Sequence, residues 1–233
     1  MKKNIVLTFV IILASNVSFS QSRDFQTQKI IQTQNQLDRD GRDNKDKKLN
    51  YIDGNHYFDV NPFKLNIPGS QNELAKYNAF TDKIEILTGG TDVRILTPEK
   101  GVILSSLDTK KNYIFTDYLN RKNEPVVGYL DIISKNERIS LFKKQQIVLI
   151  PAVEAKNSYD TPKPAHYKKL EAEYFIQLKE NATIVPFPKK KKEIERIIAD
   201  KDKEVEAFTK ENKISLSDEK DLIRLCAFLN TLL

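Results

Sequence analysis

Between residues 84 and 187 the chain repeats one construction: a short run rich in β-branched and aromatic residues, a turn signal, and another run. The runs are IEIL (84–87), VRIL (93–96), VILSSL (102–107), YIFTDY (113–118), VVGYLDII (126–133), RISLF (138–142), QIVLI (146–150), AEYFIQL (172–178) and ATIVPF (182–187). Each has the length and composition of a strand. Gly89-Gly90 and the polar segments 98–101, 108–111, 120–123, 135–137 and 180–181 separate them at hairpin distance. Connections this short join antiparallel neighbours. The expected fold is therefore α+β, mainly an antiparallel β-meander forming a curled sheet or partly open barrel. In the longest run Val126, Gly128, Leu130 and Ile132 share one face, and Val127, Tyr129, Asp131 and Ile133 the other. Two mostly apolar faces place this strand centrally, between layers. Residues 151–168, with Pro151, Pro162 and Pro164, read as one long loop.

After Phe187-Pro188 the period changes to that of a helix. Ile194, Ile197 and Ile198 form one pattern, Val205 and Phe208 a second. Ser217, Asp218 and Glu219 mark a helix start, with the acids at the positive end of the dipole. Leu222, Leu225, Cys226 and Leu229 then follow at i, i+3, i+4 and i+7, an apolar stripe that needs a partner. Cys226 lies on this stripe and reads as a core thiol. As the one cysteine of the chain it has no intramolecular disulfide partner.

The first twenty residues, MKKNIVLTFVIILASNVSFS, carry two lysines, an apolar stretch from Ile5 to Ala14, and small residues Ser18 and Ser20 before Gln21. This is the pattern of a secretory signal peptide cleaved near Ser20/Gln21. Its apolar stretch, about 10 residues, is shorter than the roughly 20 of a spanning helix. No cysteine follows it to be lipidated, so the mature chain is expected to be soluble or held at a membrane only by partners. Residues 21–50 are rich in Gln, Asp, Lys and Arg and read as a charged flexible tether, with a short helix around Phe25 to Gln36. Asp38, Asp40, Gly41, Asp43 and Asp46 resemble a calcium loop, but the glycine is early and no closing glutamate follows. The layout expected is a signal peptide over 1–20, the tether over 21–50, an antiparallel β domain over 51–187 and C-terminal helices over 188–233 packing on it.

The formal charge is +6, and falls to +4 once the two lysines of the signal are removed. With 30% charged residues of both signs this is a mixed solvated surface, not a nucleic-acid footprint. His56 and His166 stand in no paired ligand spacing, and Glu171 and Glu173 read as surface residues beside His166. No nucleophile motif is present, and Gly89-Gly90 is a hairpin rather than a phosphate cradle. Neither a catalytic residue nor a cofactor is expected.

Two stretches remain as candidate interaction surfaces. In AKYNAFTDKIEILT (75–88) a polar, aromatic turn precedes an alternating strand. Asn78 and Asp82 suit local backbone hydrogen bonds, while Tyr77 and Phe80 suit covering the end of a sheet. A structural corner is the favoured reading of Tyr77, Asn78 and Asp82, and a binding site the alternative. In PFPKKKKEIERI, the run Lys189, Lys190, Lys191 and Lys192 reads as the solvated start of a helix, with contact to anionic lipid head groups or an acidic glycan as the alternative.

GNHYFDVNPF, KYNAFTDKIEIL and the ending FTKENKISLSDEKDLIRLCAFLNTLL together resemble a family of uncharacterised exported proteins of Bacteroidota. Tyr77, Asn78, Asp82, Ile84 and Glu85 match its Tyr-Asn-x-x-x-Asp-x-(Ile/Met)-Glu stretch, and Asn230 and Leu232 its terminal Asn-x-Leu pattern. The resemblance implies an exported protein with a β-rich region and a helical tail, and no activity. The charged tether before Tyr51 departs from that pattern. The expectation is a non-catalytic protein of the cell envelope, in the periplasm or at the periplasmic face of the outer membrane, docking on a membrane or protein partner. Two alternatives are a small-ligand or glycan binder whose cup is lined by Tyr113, Phe115, Tyr129 and Tyr174, and a hydrolase using carboxylates near His56 or His166.

Overall fold

The computed structural model describes residues 51–233 except 91, 158, 181, 196, 199 and 200; the expected signal peptide and tether lie outside the described residues. The strands are β1 (Ile52–Asp53), β2 (Phe63–Asn66), β3 (Glu73–Asn78), β4 (Lys83–Gly89), β5 (Asp92–Leu96), β6 (Ile103–Ser106), β7 (Asn112–Leu119), β8 (Pro125–Lys135), β9 (Ile139–Lys144), β10 (Ile147–Ile150), β11 (Ala165–Lys169), β12 (Glu173–Leu178) and β13 (Val185–Pro186). Ten of them form one antiparallel sheet in the order β13-β12-β9-β8-β7-β6-β2-β3-β4-β5. It is a curled half-barrel, and with the helical tail the fold is α+β. Two meanders, β2 to β5 and β6 to β9, join where β2 pairs with β6. After β9 the chain leaves this sheet to build a small one, β1-β11-β10, and returns at β12.

All nine apolar runs coincide with strands, although the last is paired over Val185–Pro186 alone. The segment 151–168 is corrected: it is not one loop, because β11 begins at Ala165 and pairs antiparallel with β10. β2 and β3 also exist without an apolar run to announce them. In β2 Phe63 and Leu65 are buried while Lys64 and Asn66 are exposed, so half of the strand is polar by design of the pleat.

Alternation separates the core into layers. Phe63, Leu65, Ala75, Tyr77, Ile84, Ile86, Leu104, Tyr113 and Tyr129 fill the inside of the curl. On the opposite face Tyr118, Leu130, Phe142 and Phe175 pack together with Ile184. β8 contributes Tyr129 to one layer and Leu130 to the other, as its double apolar face requires. A third cluster joins Ile139, Leu141 and Ile176 to the helices α1 (Lys191–Glu195), α2 (Asp202–Glu211) and α3 (Glu219–Leu232). The side chain of Asp218 caps α3 by accepting from the Asp221 N–H, and Leu222, Leu225, Cys226 and Leu229 are fully buried. Glu219 in the first turn of α3 accepts from Lys143 of β9 and Tyr174 of β12, while Asn230 near its end accepts from the Arg138 N–H. Both ends of the helix are thus tied to the sheet. Among the described residues no helix is long and apolar enough to cross a membrane.

Candidate functional site

Three of the residues singled out in the sequence, Tyr77, Asn78 and Asp82, meet at one corner between β3 and β4. Asn78 is 5% exposed, and its Oδ1 accepts from the N–H groups of Phe80 and Thr81 and so shapes the turn. Its Nδ2 donates to Glu85 Oε1 at 2.7 Å, and Glu85 also accepts from the Tyr57 hydroxyl. Tyr57 and Asn78 form an isolated antiparallel bridge, and the Ala79 N–H donates to the His56 carbonyl. The segment before β2 is held against the corner by these bonds. Asp82 ends the turn at φ +56°, in the left-handed region that aspartate enters more easily than most residues.

From that position Asp82 reaches across the curl to the other meander. Tyr77 donates its hydroxyl to Asp82 Oδ1 at 2.8 Å, and Lys144, 3% exposed, forms an ion pair with the same oxygen. The Lys144 ammonium also donates to the Tyr129 carbonyl at 2.7 Å, and the Tyr129 N–H donates to the Asp82 carboxylate at 3.3 and 3.4 Å. The reason lies in the register. Pairing of β8 with β9 stops at Asp131–Lys143, so Tyr129 lies beyond the last paired position, where β9 turns away toward β10. Its backbone groups would be left without partners, at a cost on the order of 1–3 kcal/mol for each buried one. The carboxylate and the ammonium take the place of the missing strand. Gly128 makes room for them, since a Cβ there would stand 2.1 Å from Asp82 Oδ2.

Burial sets the electrostatics. Burial, then the charge and hydrogen bond of Asp82, push the Tyr77 phenol well above its ordinary value. Burial and the Glu85 hydrogen bond raise Tyr57. Burial lowers the His56 imidazole, with Glu85 opposing the shift and Lys76 adding to it. Tyr77 and Tyr57 are therefore neutral donors, and the carboxylates beside them are acceptors. An ammonium whose protons go to a carboxylate and a carbonyl acts as a structural ion, not a nucleophile. Among the described residues, the Thr81 hydroxyl is the one buried side-chain polar atom without a hydrogen-bond partner. Apart from that hydroxyl, the polar side chains of the corner satisfy one another and the backbone around them.

The other expected sites are placed apart from it. Lys189, Lys190, Lys191 and Lys192 are exposed and lead into α1, whose Ile194 belongs to the cluster under the helices. Tyr113 and Tyr129 are each 3% exposed inside the curl, Phe115 packs beside them, and Tyr174 packs against the helices. The crevice lined by Tyr77, Tyr113, Tyr129, Asp131, Lys143 and Gln145 is too tight to admit a water molecule. Side chains thus fill the space in which the alternative reading placed a ligand cup. At one wall Asp131 is 5% exposed, and burial raises its carboxyl while Lys143 and Lys111 oppose the shift. His166 lies near the Pro164 carbonyl, and Glu173 is 3.8 Å from Arg121. Cys226 is fully buried, which pushes its thiol up to about 12.

Lys144, Tyr57 and Gly128 belong to the corner and were not singled out in the sequence, and Glu85 entered there only as part of the Tyr-Asn-x-x-x-Asp-x-(Ile/Met)-Glu match. Of the first three, Gly128 alone carried a signal, since a glycine inside a strand marks a close approach by another group. No protein-family model, curated protein or solved structure matches the chain.

Proposed function

We propose that this chain is a non-catalytic exported protein of the cell envelope that docks on a protein partner, with the Lys189, Lys190, Lys191 and Lys192 run facing anionic groups at the membrane surface. One observation carries the reading: an apolar row lies open to solvent on the outer face of the large sheet. Leu74 of β3 and Val93 of β5 are 51% and 43% exposed. The register of β3 with β4 sets Leu74 beside Leu87, and Leu87 pairs with Val93 of β5, so the row runs from Leu74 to the sheet edge at Val93, while the exposed Lys64 of β2 bounds it on the other side. Separate apolar residues on a surface need no explanation, whereas a contiguous strip marks an interaction surface. The carboxylates of Asp82 and Glu85 and the Lys144 ammonium are committed to partners within the corner, which supports a binding role over a catalytic one. The signal-like start of the chain supports export.

The test is purification of the tagged protein from its own envelope fraction in mild detergent, with co-purifying chains identified by mass. A stoichiometric partner lost on Leu74→Lys, with the fold intact, is the expected result. A wild-type chain that emerges alone from the soluble fraction would remove the basis of the reading.

A further inference from the structure

β5 ends the large sheet, and Asp92, Val93, Arg94 and Ile95 are all exposed. An edge strand offers backbone N–H and C=O groups to any strand that comes alongside, and natural edges are usually blunted by charge, proline or a covering loop. Here Val93 and Ile95 stand open on the outer face, 43% and 41% exposed. The outer apolar row reaches the edge at Val93 and stops there.

The sequence of the edge names what fits it. Read antiparallel against itself, Asp92-Val93-Arg94 is self-complementary: with Val93 on a two-fold axis, Asp92 of each copy stands opposite Arg94 of the other. Opposite charges facing each other across a strand pair are stabilising. Moving the axis to Arg94 would set two guanidinium groups opposite one another, which is destabilising. Arg94 reaches inward over β4 to the Glu73 carboxylate of β3, at 2.7 and 2.8 Å, on the face it shares with Asp92, and has to turn from Glu73 to Asp92 of the second copy when the edges pair. Pro98 has no N–H to donate and limits the pairing to the length of β5.

We propose that β5 pairs antiparallel with β5 of a second copy of this chain, about a two-fold axis at Val93, giving a dimer with one continuous sheet. The inference does not depend on the docking reading. It adds that Val93 meets Val93 at the axis, so the two apolar rows run on as one. A closed, isologous contact of this kind stops at two copies. The buried surface is small, so the dimer exchanges with monomer.

The experiment is sedimentation velocity of the purified exported chain over a range of concentrations. The wild type is expected to shift from monomer to dimer. Asp92→Arg sets arginine opposite arginine and Arg94→Asp sets aspartate opposite aspartate, so each variant alone should associate roughly tenfold more weakly or less. An equimolar mixture of the two is expected to recover association, because every cross-pair is again of opposite charge. That recovery is possible only if both variants are folded. Val93→Lys, which places two ammonium groups at the axis, should also abolish the dimer with an unchanged melting curve. A wild type that remains monomeric at every concentration would overturn the proposal. So would single variants that associate like the wild type, or a mixture of well-folded variants with no gain.

Discussion

Gly128 shows how one atom decides a local structure. Gly128→Ala would drive a methyl into the Asp82 carboxylate, and the turn, not the central strand, must yield. We expect a loss of about 1–3 kcal/mol in urea denaturation, the range of overpacked sites, where an ordinary exposed Gly→Ala in a strand would be neutral or better. His56 sets a pH dependence on the same scale. Burial holds its folded pKa below the ordinary 6.5, so the unfolded chain takes up the proton first. The stability it contributes is complete above about pH 6.5 and is lost as pH falls through the lowered value. Denaturation midpoints of His56→Gln, compared with wild type across this window, should show a flatter acid limb. Equal slopes for the two chains would show that His56 does not carry it.

The elements are assembled on the same logic of satisfied ends. α3 has a capped start, a stripe fully buried on the sheet and a carboxylate tied to Lys143 and Tyr174. Phe208 of α2 stacks on Phe228 of α3 with ring centroids 4.0 Å apart, joining the two helices at the margin of the cluster that buries the stripe. Cys226 reports on the integrity of this unit, because burial pushes its thiol up to about 12 and shields it. In the native chain at about pH 8 it should resist thiol reagents, and its labelling rate should follow the opening of the helical unit. Fast labelling without denaturant would mean that α3 detaches from the sheet easily.

For the whole molecule the decisive contact is the ion pair that closes the curl. Asp82 belongs to the β3–β4 turn and Lys144 to the end of β9, and the Tyr129 hydroxyl donates to the Leu96 carbonyl of β5 from the same region. Lys144→Met should cost about 3 kcal/mol, since it leaves the Asp82 carboxylate without its counter-charge and the Tyr129 carbonyl without its donor. The double variant with Asp82→Asn should cost less than the sum of the singles, because no uncompensated charge is left inside. Strict additivity in that cycle would separate the two residues energetically and leave the curl held by its apolar layers alone.

Strands β4 to β10 and β12, the helical tail and its cap, and the burial of Cys226 were all legible in the order of residues alone. All of these are local: periods of two or 3.6 residues and turn chemistry are written in neighbouring positions. The sequence also marked Tyr77, Asn78 and Asp82 as a structural corner, and Asn78 does shape its own turn. Only the tertiary structure decided what the corner holds. Lys144 and Tyr129 are 62 and 47 residues from Asp82 in sequence and come to it because β9 leaves β8, an event with no periodic signature. β2, β3 and β11 became strands for the same reason, recruited by neighbours rather than by their own propensity. The filling of the curl by Tyr77, Tyr113 and Tyr129 was equally beyond the sequence, because alternation assigns a face but not what lies opposite that face.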